Sequence, residues 1–351
     1  DAGATTGPAD RYVVLGASGH IGRAVVRECV RRGYHTTAVV RDPAAVADDR
    51  CLKGAHVVAC DVTDDASLAR PGGPFEPGAV DVVVSCLASR TGYRRESNAV
   101  DYRANLRCLD AARAAGARHF ALLSAICVRS AERRDPRALH FQYAKLAFEE
   151  ALRAQEDVRW SIVRPTAFFK SMSTQFERVA SGADFLFFDL GAGRAVRANS
   201  MSPRDVARAL LESVSDPRRH GQVWQVGGPD GGPSKQEQAR MMASALGIPT
   251  PRLRAVPIAL LDTVAGILAA AAAVAGAESV ENLAEGFRIF RYYASEDMLT
   301  TDPEEVYGSD LLEDHYRRLA VEGREYDPNL AVIDSRAAVE QFRARAAQGA
   351  G

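Results

Sequence analysis

The segment Gly16-Ala-Ser18-Gly19-His20-Ile21-Gly22 has the residue types and spacing to hold a phosphate. It follows a strand-like run, Tyr12–Gly16, and leads into the helix-periodic stretch Ile21–Arg32. A three-glycine pattern alone is weak evidence, but strand, turn and helix in that order form the context of a dinucleotide site. Gly16 would permit the sharp turn, Gly19 would let backbone approach a pyrophosphate, and Gly22 would let helix and strand pack closely. Amides and positive dipole at the helix N-terminus would face the phosphates. The second strand-like run, Thr36–Val40, ends at Arg41, where an acid would suit the ribose diol of NAD and a cation suits the 2′-phosphate of NADP. The residue order therefore favours NADPH, while Asp42, next in line, keeps NAD as the second reading. Asp61 and Val62 follow the third strand-like run and are expected to face the adenine, Asp61 serving equally well as a turn residue.

A second group centres on Lys145. Chemistry on a carbonyl or alcohol needs a proton partner at the oxygen. The glycine spacing resembles the short-chain dehydrogenase/reductase superfamily in its extended and atypical branches, and most of those enzymes carry Tyr-x-x-x-Lys on the helix after the fifth strand. The resemblance places Ser124 at the end of that strand and Lys145 on that helix, but Phe141 stands where the Tyr would be. No Tyr in the chain has a Lys four positions later. Tyr143 lies two residues from Lys145, about 200° around a helix, and should point elsewhere. Two readings follow. Either the protein binds NADP(H) without turnover, or it reduces something other than a ketone, such as a carbon–carbon double bond conjugated to a large π-system that absorbs the charge.

Positioning these residues calls for an α/β fold: a Rossmann-type doubly wound parallel sheet with a smaller C-terminal substrate domain. Further strand-like runs are His56–Cys60, Val80–Ser85, Phe120–Ser124 and Ser161–Arg164, short and apolar as strands buried on both faces should be. Helical periodicity covers Ala99–Ala115 and Phe141–Ala154, with an Arg-rich loop (Arg129, Arg133, Arg134, Arg137) before the latter. The expected division is a loose tail at 1–10, an NADP-binding domain at 11–165 completed by about 203–228, and a substrate domain from 166–202 and 229–335. A C-terminal helix or tail would occupy 336–351. Pro203–Val214 and Val223–Val226 are the helix and strand that return to the sheet, and Ser234-Lys-Gln-Glu237 reads as a capping box opening another helix. The phenylalanines 168, 169, 176, 185, 187 and 188 read as core or as a wall for a flat ligand.

Composition narrows the classes. Net charge is −1 with both signs interspersed, which gives no nucleic-acid footprint. Of 44 basic residues only Lys53, Lys145, Lys170 and Lys235 are Lys, so each has more weight than in an average chain. The six cysteines form no Cys-x-x-Cys pair and read as reduced thiols, with no metal site. No signal-peptide pattern is visible. The Ala-rich run Ile258–Gly276 reads as a docked helix, with contact to a membrane surface as the other option.

Longer blocks are more specific. Val84-Ser85-Cys86-Leu87-Ala88-Ser89-Arg90, Leu122-Leu-Ser124-Ala-Ile-Cys127-Val and Phe141-Gln-Tyr143-Ala-Lys145-Leu-Ala-Phe148-Glu149 form one set. Ser161-Ile-Val-Arg164-Pro165-Thr166-Ala-Phe168-Phe169-Lys170-Ser171 and Arg291-Tyr-Tyr-Ala-Ser-Glu-Asp-Met-Leu299 form another. Together they resemble the divinyl chlorophyllide 8-vinyl reductase family, and the likeness runs from about Tyr12 to Gly323. The resemblance implies an NADPH-dependent oxidoreductase of chlorophyll biosynthesis that reduces the 8-vinyl group of a tetrapyrrole to ethyl. It implies a chloroplast location in a eukaryote, stromal or at the thylakoid membrane, and a cytoplasmic one in a bacterium. It also implies that Lys145 holds the nicotinamide ribose and that Ser85, Cys86, Leu87, Ala88 and Ser124 line the cofactor, with Pro165 to Phe168 shaping the nicotinamide end. Tyr143 departs from the family pattern, which is basic there; Tyr143 and Lys170 are the candidate proton donors. An Arg of the 129–137 loop is a candidate partner for the pigment carboxylate. The competing class is a non-catalytic NADPH-binding subunit of a photosynthetic or respiratory complex, and an ene or isoflavone-type reductase would share the cofactor site without these blocks.

Overall fold

Valine-rich runs make the centre of the molecule. In the computed structural model, which describes residues 10–275 and 277–322, seven short strands form one sheet. They are β1 (Arg11–Leu15), β2 (His35–Val40), β3 (His56–Ala59), β4 (Val82–Ser85), β5 (His119–Leu123), β6 (Arg159–Pro165) and β8 (Val223–Val226). The order is β3-β2-β1-β4-β5-β6-β8, and the neighbours from β3 through β6 pair in parallel. Val13, Val83, Phe120 and Ile162 are at most 1% exposed. That degree of burial explains why these strands read as continuous apolar runs without alternation. The order reverses between β1 and β4, and such a switch point opens a crevice at the carboxyl ends of the strands.

The chain separates into two compact units. One holds the chain up to Arg164 together with Val206–Gln225; the other holds Pro165–Asp205 and the chain from Val226 onward. In the first, the helix His20–Arg31 buries Ile21, Val25, Val26 and Cys29. Helix His140–Ala154 buries Phe141, Leu146, Phe148 and Leu152. The stretch expected as one helix over 99–115 is in fact two segments, a seven-residue π-helix at Asn98–Ala104 and an α-helix at Asn105–Ala114, preceded by a short helical turn at Arg94–Ser97. Part of the expected Arg-rich loop is also helical, over Val128–Glu132.

In the second unit, β7 (Phe185–Asp189) pairs in parallel with β9 (Leu253–Pro257), a two-stranded sheet that the sequence pattern did not announce. Phe169, Phe176 and Phe185 are core residues, at most 2% exposed, and Phe176 stacks on Tyr316. Ser234 and Glu237 make the expected reciprocal capping box ahead of helix Lys235–Leu246. The Ala-rich run is the helix Ile258–Ala275, packed against helix Glu278–Ser295. No helix among the described residues is long and apolar enough to cross a membrane. The expected tail, apart from Asp10, and the expected C-terminal helix over 336–351 lie outside the described residues.

Candidate functional site

Where β1 ends, Gly16 turns the chain with φ +69°, a conformation costly for any other residue. A Cβ there would also sit 2.9 Å from the Cys86 carbonyl oxygen. At Gly22 the constraint is contact, because a Cβ would lie 2.1 Å from the Gly16 carbonyl oxygen. The turn closes through the Gly19 amide, which donates to the Gly16 carbonyl at 2.9 Å. Gly19 is the N-cap of helix His20–Arg31, contributes no capping side chain, and is followed by no acid in the first turn. Ser18 and His20 are half-buried beside this N-terminus, and Ile21 is core. Backbone packed this tightly, with helix amides at its mouth, fits a dinucleotide pyrophosphate.

At the tip of β2, Arg41 is exposed. Asp42 is engaged locally, its carboxylate accepting from the Ala44 amide at 2.9 Å. Asp61 closes its own turn, accepting from the Thr63 amide at 2.9 Å and the Thr63 hydroxyl at 2.7 Å. Those bonds, assisted by the charge of Arg41, hold its pKa below the usual carboxylate range. Val62 and Leu87 belong to the hydrophobic core, so what they can present to a cofactor is backbone. Cys86 and Ala88 follow β4 directly, and the Cys86 amide donates to the Leu15 carbonyl at 3.0 Å. Desolvation pushes the Cys86 thiol up to about 12, against the opposing pull of Lys145. Through Asp101, which accepts from the Ser89 amide, Lys145 is tied to the segment that follows β4, where Cys86 packs against Gly16.

The Lys145 ammonium lies 2.9 Å from Asp101, whose side chain is fully buried. Sequence reasoning missed Asp101, because a single acid on a helical stretch has no spacing signature and its partner lies 44 residues away. Phe141 is 8% exposed and packs in the core. Tyr143 is 45% exposed and lines a groove of about 690 Å³ together with Tyr102, Arg94, Arg103 and His140. Lys145 is not among the residues lining it. Ser124, 4% exposed, donates its hydroxyl to Glu149. Glu149 also accepts from Arg164, which holds Glu132 at 2.6 Å. Burial opposes the Arg164 charge, but hydrogen bonds to Glu132 and Glu149 outweigh it and leave the guanidinium pKa raised. Of the Arg-rich segment, Arg137 pairs with Asp135 at 2.8 Å, and Arg133 and Arg134 are exposed.

Pro165 ends β6 and is buried. Like Pro165, the other expected residues of that stretch belong to the second unit. Phe168, half-buried, precedes the short helix Phe169–Met172 and bridges to Met201, and Lys170 sits half-buried in that helix. Among the described residues there is no cluster of His, Cys, Asp or Glu that could hold a metal, and none of the six cysteines is in a disulfide.

Comparison with known proteins agrees with this geometry. Residues 16–217 match the NAD(P)H-binding family. The structure termed gox2253 is similar at TM-score 0.65 and 19% identity, over 88% of this chain and 96% of its own. The UDP-glucose 4-epimerase of Thermotoga maritima is similar at TM-score 0.55 and 17% identity, over 70% of this chain and 85% of its own. At those identities the likeness is one of fold. Sequence relatives reach further. Divinyl chlorophyllide a 8-vinyl-reductase of Oryza sativa subsp. indica is 40% identical over 89% of this chain and 78% of its own length. The protein of that name from Arabidopsis thaliana is 38% identical over 89% and 77%. With such identity sustained through both compact units, the chain belongs to the divinyl chlorophyllide a 8-vinyl-reductase family.

Proposed function

We propose that this chain reduces the 8-vinyl group of a divinyl chlorophyllide to ethyl, with NADPH as the reductant. The observation that carries the reading is a tightly packed glycine turn suited to a pyrophosphate, in the same compact unit as a lysine, Lys145, that has a carboxylate partner and Phe141 where a phenol would stand. A bound nicotinamide cofactor supplies hydride, and a conjugated vinyl group can accept it while the macrocycle takes up the charge. A ketone would instead need an acid at its oxygen, and Phe141 occupies that acid's place. The glycine turn would hold the pyrophosphate and Arg41 the 2′-phosphate. Lys145 would hold the nicotinamide ribose, and Phe168 would bound the nicotinamide end. NADPH is favoured over NADH because Arg41 is exposed at the tip of β2 while the Asp42 carboxylate is occupied by its own turn. The relatives are all named as chloroplastic, and the same compartment is proposed for this chain.

The test is direct. Purified protein, NADPH and divinyl chlorophyllide should convert the pigment spectrum to the monovinyl form with oxidation of one NADPH per vinyl group. NADPH binding with an unchanged pigment would favour a non-catalytic subunit instead.

A further inference from the structure

The Asp101–Lys145 pair is unusual in where it sits. Asp101 lies in the middle of the Asn98–Ala104 π-helix, a rare geometry that frequently marks functional sites. Its carboxylate is fully buried and accepts, besides Lys145, the Ser89 amide at 3.3 Å on both oxygens. Asn105, 1% exposed, donates its side-chain amide to the carbonyls of Val100 and Asp101 at 3.3 and 3.0 Å. Its own carbonyl accepts from the Ser85 hydroxyl at 2.6 Å, at the end of β4. Ser85, at the carboxyl end of the central strand β4, thus anchors Asn105; Asn105 ties down the backbone of Asp101, and the Asp101 carboxylate holds the Lys145 ammonium.

Stability alone is a poor reason for such an arrangement. Taking a carboxylate and an ammonium out of water costs more than an apolar pair of similar size, so a buried ion pair is weak evidence of a stabilising role. What it does supply is a fixed direction. An ammonium has three donors on a flexible stem; Asp101 engages one and stops the stem from swinging, leaving two for another partner. Resting on the reading of Lys145 as the ribose ligand, we propose that Asp101 is the positioning residue of this site, aiming Lys145 at the nicotinamide ribose where Phe141 leaves it without a phenol.

Binding measurements separate this from a purely architectural role. Asp101→Asn keeps the side chain's shape and removes its charge. Titrated with NADPH, it should bind at least tenfold more weakly than wild type. Titrated with 2′,5′-ADP, which reaches the phosphate and adenine sites but carries no nicotinamide ribose, it should bind as wild type does. Equal losses for both ligands would show general damage and overturn the proposal, as would unchanged NADPH affinity. Should Asp101→Asn fail to fold, Lys145→Met and the double variant decide. Lys145→Met leaves the buried carboxylate unpaired, so adding Asp101→Asn should raise its melting temperature without weakening NADPH binding further. A double variant that melts lower, or binds NADPH more weakly than Lys145→Met, would refute the coupling. None of these titrations uses pigment. A wild type that binds NADPH and leaves divinyl chlorophyllide untouched sinks the proposed reaction while this result stands.

Discussion

One exposed guanidinium bears the choice of cofactor. Arg41 stands at the end of β2 with its side chain in solvent, and the neighbouring Asp42 spends its carboxylate on the Ala44 amide. A ribose diol arriving there would have to compete with that amide, whereas a 2′-phosphate meets an available cation. Wild-type protein should therefore bind NADPH at least tenfold more tightly than NADH, and Arg41→Ala should remove most of the gap. The expected difference is about 1.5–3 kcal/mol, the range for a hydrogen bond to a charged group. Matched titrations with both nucleotides check this, and equal wild-type affinities would end the argument. Arg41 was legible in the sequence because a strand tip has a fixed place relative to the glycine turn. Asp101 was not, since its importance lies in burial and in a partner brought close only by the packing of two helices. Ser124 falls between: its position at the end of β5 was readable, but its hydroxyl's engagement with Glu149 was not.

Elements were readable to the degree that their burial was periodic. The βα rhythm through β6 follows from apolar runs bounded by turn residues, and the capping box at Ser234 named its own helix start. Strand β9 carries no such mark, because four of its five residues are exposed and its pattern shows no buried alternate face. The π-helix was equally hidden, for a widened turn leaves helix-like composition intact. The helix that begins at Lys235 makes a prediction of its own. Its amine is half-buried at the first helical position, 3.8 Å from the Met172 sulfur and 3.4 Å from the Gln238 carbonyl oxygen. Burial lowers its pKa to about 8, and a helix N-terminus also disfavours positive charge. Below pH 8 the folded state carries a charge it would rather lose. Between about pH 8 and the unfolded value near 10.4 the unfolded chain holds the extra proton, so stability rises with pH. Lys235→Met should thus raise the melting temperature at pH 7, by on the order of 2 kcal/mol of stability, and the gain should shrink towards pH 10. A gain or loss of the same size at both pH values would show that burial of the charge is not the cause.

At the scale of the whole molecule, the phosphate turn, the strand tips and Lys145 all belong to one compact unit, while Phe168 and Lys170 belong to the other. The missing phenol then has a consequence for the order of events. With Phe141 packed in the core, hydride delivery to the vinyl group should come without concerted protonation by a tyrosine at that position, and the proton should arrive from solvent or from a donor such as Tyr143 or Lys170. Tyr143 is 45% exposed along the groove shared with Arg94 and Arg103, a poor place for an acid that must act in a closed site. Tyr143→Phe is expected to keep at least a tenth of the wild-type rate, since removing a true general acid costs roughly a hundredfold or more. A larger loss, with NADPH affinity intact, would make Tyr143 the donor. The hydride itself can be followed. NADPH carrying deuterium at the transferred position should place one deuterium in the product ethyl group at each turnover, and ordinary NADPH in heavy water should label the pigment by the proton route instead. Deuterium from the cofactor on a ring carbon, or absent from the pigment, would exclude direct transfer to the vinyl group. It would also remove the chemical reason for a Lys145 that works without a phenol beside it.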